Sequence, residues 1–109
     1  MAYDPVIAQR AREEMQGLPG FQEKKMFGGV GFLLWGNMAC GVNQDDFIVR
    51  VGKEGYDEAL SHPHTRVFDM TGKPMSGWIV VEPEGVSSQA DLRRWIDRGV
   101  KYALTLPPK

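Results

Sequence analysis

Glycines are concentrated between residues 24 and 42, in the stretch KKMFGGVGFLLWGNMACGV. Five of the 13 glycines of the chain fall within these 19 positions, directly behind two lysines. Such a stretch is typical of two structures: a loop that cradles phosphate, and a β-sheet that needs glycine at its turns and bulges. The first structure would place a helix directly after the stretch, whereas the second would make the stretch part of a sheet.

Both phosphate-binding templates fail on spacing. Gly31 and Gly36 have the separation found in a P-loop, but the next two residues are Asn and Met, which replace the lysine and hydroxyl that contact phosphate and magnesium. A dinucleotide fingerprint starting at Gly29 needs glycine or alanine where Leu34 stands, with a strand before it and a helix after it. The stretch therefore predicts turns and bulges in a bent sheet.

The following residues indicate an antiparallel meander of three strands. Gly36-Asn37 separates FLLW from MACGV as a two-residue hairpin turn, and residues 43–46 form a second turn cluster before FIVRV. In the third strand, alternation places Phe47, Val49 and Val51 on one face and sends Arg50 to the other.

Three segments have helical signals. Asp4 before Pro5 begins a first helix predicted to run to Gln16, where Gly17 takes the left-handed closing conformation. A short second helix is predicted over residues 53–61. Ser88 is the predicted N-cap of the last helix, whose apolar residues recur at i, i+3, i+4 and i+7.

Two further strands, over residues 66–70 and 78–82, should pair as a hairpin with a long loop. The predicted order is helix, three strands, helix, two strands, helix. This order predicts an α+β fold of two layers: an antiparallel five-stranded sheet with helices packed on one face. The 109 residues predict a single domain over 1–109.

Composition limits the classes of protein to which the chain belongs. A formal net charge of -1 gives no global attraction to nucleic acid or to an anionic membrane. Cys40 is the only cysteine in the sequence, which excludes an intramolecular disulfide and suits a reducing compartment. The N-terminus MAYDPVIAQRAREE lacks a basic start followed by an apolar run, and no stretch approaches the roughly 20 apolar residues that cross a bilayer. Together with the single cysteine, these features lead us to expect a cytoplasmic protein without a membrane partner.

Three motifs resemble the N-terminal domain of the TfoX/Sxy family, bacterial regulators of DNA-uptake competence: the KKMFGG start of the glycine stretch, the arginine in DDFIVRVG, and GKPMSGW. The resemblance covers essentially the whole chain and implies a two-layer α+β fold similar to type III secretion chaperones. For complete regulators it implies transcriptional co-regulation in connection with the cyclic-AMP receptor protein. Those complete regulators carry a second, C-terminal helical domain, whereas the resemblance of this chain is to their N-terminal domain alone. We therefore expect a stand-alone, single-domain member of the family.

The resemblance also selects candidate binding residues. It places in the family signature Lys25, Met26, Phe27, Gly28, Gly29 and Arg50, with Lys24 beside them. Arg50 has two readings: a recognition group for carboxylate or phosphate, and a structural ion pair with Asp45, Asp46 or Glu82, which we favour. Trp35 and Met75 lie at element ends, where large apolar residues are less easily buried, and mark a candidate interaction patch.

The last helix has a basic face formed by Arg93, Arg94, Arg98 and Lys101. These side chains are candidates for contact with DNA phosphates, but Asp91 and Asp97 interrupt them, and Asp97 is expected to pair with Lys101. A solvated helix face is the favoured interpretation.

Reactive chemistry has little support in the sequence. His62-Pro63-His64 supplies at most two of the three or four ligands of a zinc site and is predicted to be a surface turn. Cys40 lies inside a predicted strand, where it should be a small buried hydrophobe. We therefore predict no catalytic residue, no metal and no cofactor.

Three functional hypotheses remain open. The first is a non-enzymatic regulatory or protein-interaction module with a protein partner such as a transcription regulator, forming a homodimer. The second is a nucleic-acid-binding domain that uses Lys24, Lys25 and the basic face of the last helix. The third is a small-ligand-binding domain around Arg50.

Overall fold

The fold is known from a computed structural model, which describes residues 4–26, 29–69 and 76–108. Within these ranges the helices are α1 (Pro5–Met15), α2 (Tyr56–Leu60) and α3 (Gln89–Leu104). The strands are β1 (Phe21–Met26), β2 (Gly29–Leu34), β3 (Asn37–Asn43), β4 (Asp46–Arg50), β5 (Thr65–Val67) and β6 (Trp78–Val81), and a 3₁₀ turn follows at Pro83–Val86.

The strands of the described residues form an antiparallel sheet of six strands in the order β1-β2-β3-β4-β6-β5. The α+β class is confirmed, but the prediction of five strands, three of them before the second helix, was wrong because it missed β1. The sequence of this strand, FQEKKM, has little apolar character. It is extended because its backbone pairs with β2 along its whole length, from Phe21 opposite Leu34 to Met26 opposite Gly29.

The predicted first hairpin exists, but its turn lies one residue earlier than expected. Trp35 and Gly36 form the turn, with φ of 53° and 85°, and Asn37 is already in β3 opposite Leu34. Two successive positive φ angles are the requirement of the tight hairpin turn whose twist matches the strands. A register shift between Phe32 and Leu33 confirms the predicted bulge in the bent sheet.

All three helices in the described ranges contribute to one apolar core on a single face of the sheet. From the sheet, Phe32, Val42, Phe47 and Val49 are at most 1% exposed. The helices add Ala11 and Met15 (α1), Ala59 (α2) and Leu92, Trp95, Ile96 and Ala103 (α3). The predicted alternation of β4 is therefore confirmed, and so is the packing of helices on one face.

The helix ends follow the capping signals in the sequence. An Asp4 carboxylate oxygen accepts from the N–H groups of Val6 at 2.8 Å and Ile7 at 3.3 Å, and Ser88 Oγ accepts from the N–H of Asp91 at 3.0 Å. Both caps were predicted. The closing role of Gly17 was wrong: the left-handed glycine after α1 is Gly20, with φ of 77°.

The short elements differ from their predicted limits. Helix α2 covers five residues rather than the predicted nine, and β5 begins at Thr65 instead of Arg66. The β5–β6 hairpin is confirmed by the pairing of Val67 with Ile79. In the described ranges, each helix is too short or too polar to cross a bilayer.

Candidate functional site

An open cleft of about 1080 Å³ lies where β4 ends and β6 begins. Its walls come from three parts of the fold: the two strand ends, the turn that leads from β4 to α2, and the C-terminal half of α3. The side chains that give it chemical character are Arg50, Lys53, Trp78, Arg98, Lys101 and Tyr102. We call it the Arg50 cleft.

The guanidinium of Arg50 lies against two aromatic rings. Its central carbon is 5.1 Å from the ring centroid of Trp78 and 5.4 Å from that of Tyr102. Each such cation–π contact is worth about 0.5–1 kcal/mol at a partly exposed site. Among the described residues no ion pair of Arg50 accompanies these contacts, so they hold the side chain while leaving its N–H donors available for a ligand.

The favoured structural ion pair of Arg50 was wrong. Two of the three carboxylates proposed for it are taken by another arginine: Arg66 approaches Asp46 at 2.5 Å and Glu82 at 3.7 Å. No carboxylate among the described residues is within 4.0 Å of the Arg50 guanidinium. Arg50 therefore lacks the predicted structural ion pair, and its role as a recognition group stays a prediction.

Backbone geometry brings Arg50 beside Trp78. The two residues are opposite each other in the β4–β6 pair. Just beyond them, the N–H groups of Val51 and Gly52 both donate to the carbonyl of Gly77, at 2.8 and 3.1 Å. Gly52 and Gly77 have φ of 81° and 91°, a conformation that side-chain-bearing residues rarely adopt. The two glycines thus close the end of the strand pair that carries the cleft.

Tyr102 completes the cleft by packing on the bare backbone of Gly52. A Cβ atom at Gly52 would lie 2.6 Å from Cδ1 of the Tyr102 ring, so only glycine permits this approach. Tyr102 is three residues after Gly99, which lets α3 lie against the backbone of β3 at Ala39. The position of Tyr102 over Arg50 therefore depends on close packing at two glycines.

One wall of the cleft is a network of charged groups already paired with each other. Arg98 contacts Glu58 at 2.8 Å, and the other oxygen of Glu58 is 2.5 Å from His62 Nε2. The hydrogen bond with His62, together with the charge of Arg98, lowers the pKa of Glu58. Arg98 also lies 5.3 Å from the ring centroid of Trp95. The charges of Arg98 and Glu58 in this wall therefore largely cancel.

The cleft is locally basic although the chain is not. Four cationic side chains line it, against two carboxylates, which gives a formal charge of 4 − 2 = +2 with histidine neutral. The whole sequence has a formal charge of -1. This contrast indicates a local preference for anions.

The glycine-stretch candidates lie away from the cleft. Lys24 and Lys25 are exposed on β1, which is an edge strand of the sheet, and edge lysines discourage pairing with another chain. Gly29 begins β2, and a Cβ there would meet Asn43 Cα at 3.1 Å and the Val42 carbonyl closer still, so this glycine serves the shape of the sheet. The side chain of Met26, all of Phe27 and Gly28, and Met75 lie outside the described residues.

Trp35 is exposed as expected for an element end. It is 49% accessible, and part of its ring packs on Gly20, whose carbonyl accepts from the Trp35 N–H at 3.0 Å. Its positive φ is uncommon for a bulky residue. Trp35 remains a candidate contact residue outside the Arg50 cleft.

The basic face of α3 is mostly committed to carboxylates of the same molecule. Arg93 donates to the two oxygens of Glu14 at 3.1 and 3.2 Å, and Arg94 pairs with Asp91. The Arg93 hydrogen bond, followed by that of Gln89, lowers the pKa of Glu14. With Arg98 held by Glu58, all three arginines of this face have acidic partners.

Lys101 differs from the arginines of the same helix. The expected ion pair between Lys101 and Asp97 was wrong, because no pair between them is formed within 4.0 Å in the described part of the chain. Lys101 lines the Arg50 cleft instead.

The groups with reactive potential are buried or engaged. Cys40 is fully buried, as predicted, and burial raises the pKa of its thiol. His62 and His64 lie in an exposed turn, also as predicted. Within the described ranges, no three histidine, cysteine or acidic residues are grouped closely enough to hold a metal ion.

Sequence reasoning did not select Lys53, Trp78 or Tyr102 as site residues. A usable signal was the position of Tyr102 at the border between the apolar and basic faces of α3, four residues after Arg98. A second was the glycine two residues after Arg50 and the glycine directly before Trp78, since both indicate turns at the ends of adjacent strands.

Comparison with known proteins gives one family. No curated protein matches the chain. The family model for the TfoX N-terminal domain matches residues 13–103, and this range contains Arg50, Lys53, Trp78, Arg98, Lys101 and Tyr102. The chain therefore belongs to the TfoX N-terminal domain family.

Proposed function

We propose that this domain is a non-enzymatic regulatory module that acts by binding, and that the Arg50 cleft recognises an anionic group. The observation that carries the proposal is the state of Arg50. Its guanidinium is held by two aromatic rings, opens into a cleft of about 1080 Å³, and has no carboxylate partner among the described residues. A planar guanidinium binds carboxylate or phosphate through two parallel hydrogen bonds, which gives both affinity and orientation.

The state of the reactive side chains supports binding over catalysis. Nucleophilic cysteines are accessible and have a lowered pKa, whereas Cys40 is buried and its pKa is raised. The imidazole beside the cleft, His62, is hydrogen-bonded to Glu58 rather than to a serine, threonine or cysteine.

The family suggests the kind of partner and setting that we propose for this module. We propose a cytoplasmic protein partner, such as a transcription regulator, that presents an acidic group to the cleft, and a homodimer as the working form. The nucleic-acid alternative has weaker support, because Arg93, Arg94 and Arg98 are neutralised by Glu14, Asp91 and Glu58. Phosphate-driven binding needs cations that are available to release counterions.

The anion-binding proposal is tested by NMR titration of the folded chain with inorganic phosphate and with acetate at low ionic strength. We expect shifts concentrated at the backbone amides of Gly52 and Gly77 and at the indole N–H of Trp78. Arg50→Met should abolish them, since it removes the donors and keeps an apolar chain of similar length.

The matched control is Arg93→Met, which removes the same charge from α3 outside the cleft and should leave the shifts intact. An absence of localised shifts with either anion in the wild-type chain contradicts the proposal. Sedimentation at micromolar concentration tests the homodimer separately, and a monomer throughout would remove that part.

A further inference from the structure

We infer that the ligand of the Arg50 cleft is a small organic phosphomonoester bound as its dianion. This inference rests on the proposed anion-binding function and specifies its chemical class. It is carried by three observations: the number of unpaired charges in the cleft, the elements from which they come, and the size and lining of the space.

The unpaired charges call for a dianion. Arg98 and Glu58 neutralise each other across 2.8 Å, which removes one cation and one carboxylate from the sum. Of the lining residues that the structure describes, Arg50, Lys53 and Lys101 then have no carboxylate within 4.0 Å, and Glu54 has no cationic partner. The remaining charge is 3 − 1 = +2, which a monoanion leaves half neutralised.

The unpaired cations come from three separate elements. Arg50 ends β4, Lys53 lies in the turn after it, and Lys101 is on α3, so donors reach the cleft from different sides. A carboxylate offers two oxygens in one plane, so an arginine and two lysines that reach it from different sides must share them. A phosphate monoester presents three oxygens in a tetrahedral arrangement, so it accepts from Arg50 and from both lysines at once.

The space is larger than a phosphate ion. Ligand sites for small molecules typically measure about 300–1000 Å³, and the Arg50 cleft, at about 1080 Å³, is slightly larger than this range. Its lining includes the Trp78 and Tyr102 rings as well as the hydroxyl groups of Ser76 and Thr105. These surfaces suit an organic group that carries the phosphate, with apolar area beside the rings and hydroxyls at the margin.

Three probes of similar size separate the ligand chemistries. Phenyl phosphate is a monoester dianion, isophthalate is a dicarboxylate of the same charge, and methyl phenyl phosphate is a phosphodiester with one charge. Isothermal titration of the wild-type chain at low ionic strength and pH 7.5 should give phenyl phosphate the lowest Kd, by about tenfold or more over each of the others. That factor corresponds to about 1.4 kcal/mol, less than one charge-assisted hydrogen bond contributes.

The charge of the phosphate gives a second readout. The second ionisation of a phosphate monoester lies near pH 6, so phenyl phosphate changes from a monoanion to a dianion between about pH 5 and pH 7.5. Its affinity for the cleft should therefore rise over this interval. Isophthalate, whose carboxylates ionise at lower pH, should change less over the same interval.

The variants test the residues. Arg50→Met and Lys101→Met should each weaken phenyl phosphate binding by about tenfold, and Arg93→Met should change it little. Thermal unfolding verifies that each variant is folded. Lys101 is exposed, so its substitution keeps the test decisive even if Arg50→Met unfolds the domain.

The outcomes separate this inference from the function on which it rests. If isophthalate binds as tightly as phenyl phosphate, or more tightly, and both depend on Arg50, the phosphomonoester class is overturned and the anion-binding function stands. If phenyl phosphate binds equally well to the wild type and to both cleft variants, its site is elsewhere. If none of the probes binds, both fail.

Discussion

The substitution Gly99→Ala adds one methyl group that has two opposing effects on stability: it favours the helix, and it clashes with the neighbouring strand. In the interior of a helix, replacing glycine with alanine normally stabilises the folded state by about 1 kcal/mol. Gly99 lies inside α3, but a Cβ atom there would be 3.1 Å from the carbonyl carbon of Ala39 in β3, and closer still to the carbonyl oxygen. Carbon atoms prefer a separation of about 3.5–4.0 Å. The methyl group therefore fits only if helix and strand move apart.

The contact between the added methyl group and the backbone of Ala39 determines whether Gly99→Ala raises or lowers the free energy of unfolding. Overpacking a well-packed core costs typically about 1–3 kcal/mol, and a clash with backbone is at the upper end because no rotamer change relieves it. Subtracting the helical gain of about 1 kcal/mol, we expect Gly99→Ala to lower the free energy of unfolding by about 2 kcal/mol. For a domain of this size the melting temperature should fall by roughly 8 °C.

Urea denaturation followed by circular dichroism measures the effect, and Gly17→Ala is the matched control. A Cβ at Gly17 would have no neighbour within 4 Å, so this variant should be neutral or slightly stabilising. Because α3 also carries Tyr102, we further expect Gly99→Ala to perturb the indole N–H signal of Trp78 in the Arg50 cleft. A Gly99→Ala variant that melts at or above the wild-type temperature would refute the reasoning.

Two further predictions concern α1 and α3. Ser88→Ala removes the side chain that accepts from the Asp91 N–H and should lower the free energy of unfolding by about 1 kcal/mol, measured by urea denaturation; an unchanged midpoint contradicts the cap. Arg93 lowers the pKa of Glu14, so this pairing stabilises the fold above the unfolded-state pKa of about 4.3 and is lost as the pH falls through the lower folded value. Glu14→Gln should therefore lose less stability between about pH 5 and pH 3 than the wild type, whereas Glu13→Gln, at an exposed neighbour, should follow the wild type.

Local signals in the sequence predicted the parts of the fold that local physics determines. The caps at Asp4 and Ser88 need only a side-chain oxygen and a nearby free N–H, both of which are specified within a few residues. The buried face of α3 follows from its periodicity, because a helix must bury its apolar stripe.

The errors arose where a distant partner decides the structure. Strand β1 has too little apolar character to predict and is extended because β2 pairs with it. The hairpin turn moved to Trp35 because strand pairing placed Asn37 opposite Leu34, even though tryptophan disfavours positive φ. In both cases backbone pairing outweighed residue preference.

The candidate site shows the same limit. Sequence reasoning selected Arg50 but favoured the wrong partner, because which carboxylate meets which arginine depends on sheet order. Residues of β5 and β6 are neighbours, and β4 lies on the far side of β6, so Arg66 reaches both Asp46 and Glu82. That pairing leaves Arg50 without an acidic partner among the described residues and allows it to turn to the rings.

The three motifs that carry the family resemblance divide between two ends of the sheet. The KKMFGG motif includes the end of β1 and the start of β2, which lie at the end opposite Arg50, and Gly29 there is required by the close approach of β3. The other two motifs supply Arg50 and Gly52, and Gly77 and Trp78, which are adjacent across the β4–β6 pair. Sheet geometry alone accounts for the two glycines, but it requires neither an arginine nor an aromatic ring on the face that they hold open. The proposed anionic ligand would account for both, because an arginine can bind an anion and the two rings hold that arginine in place.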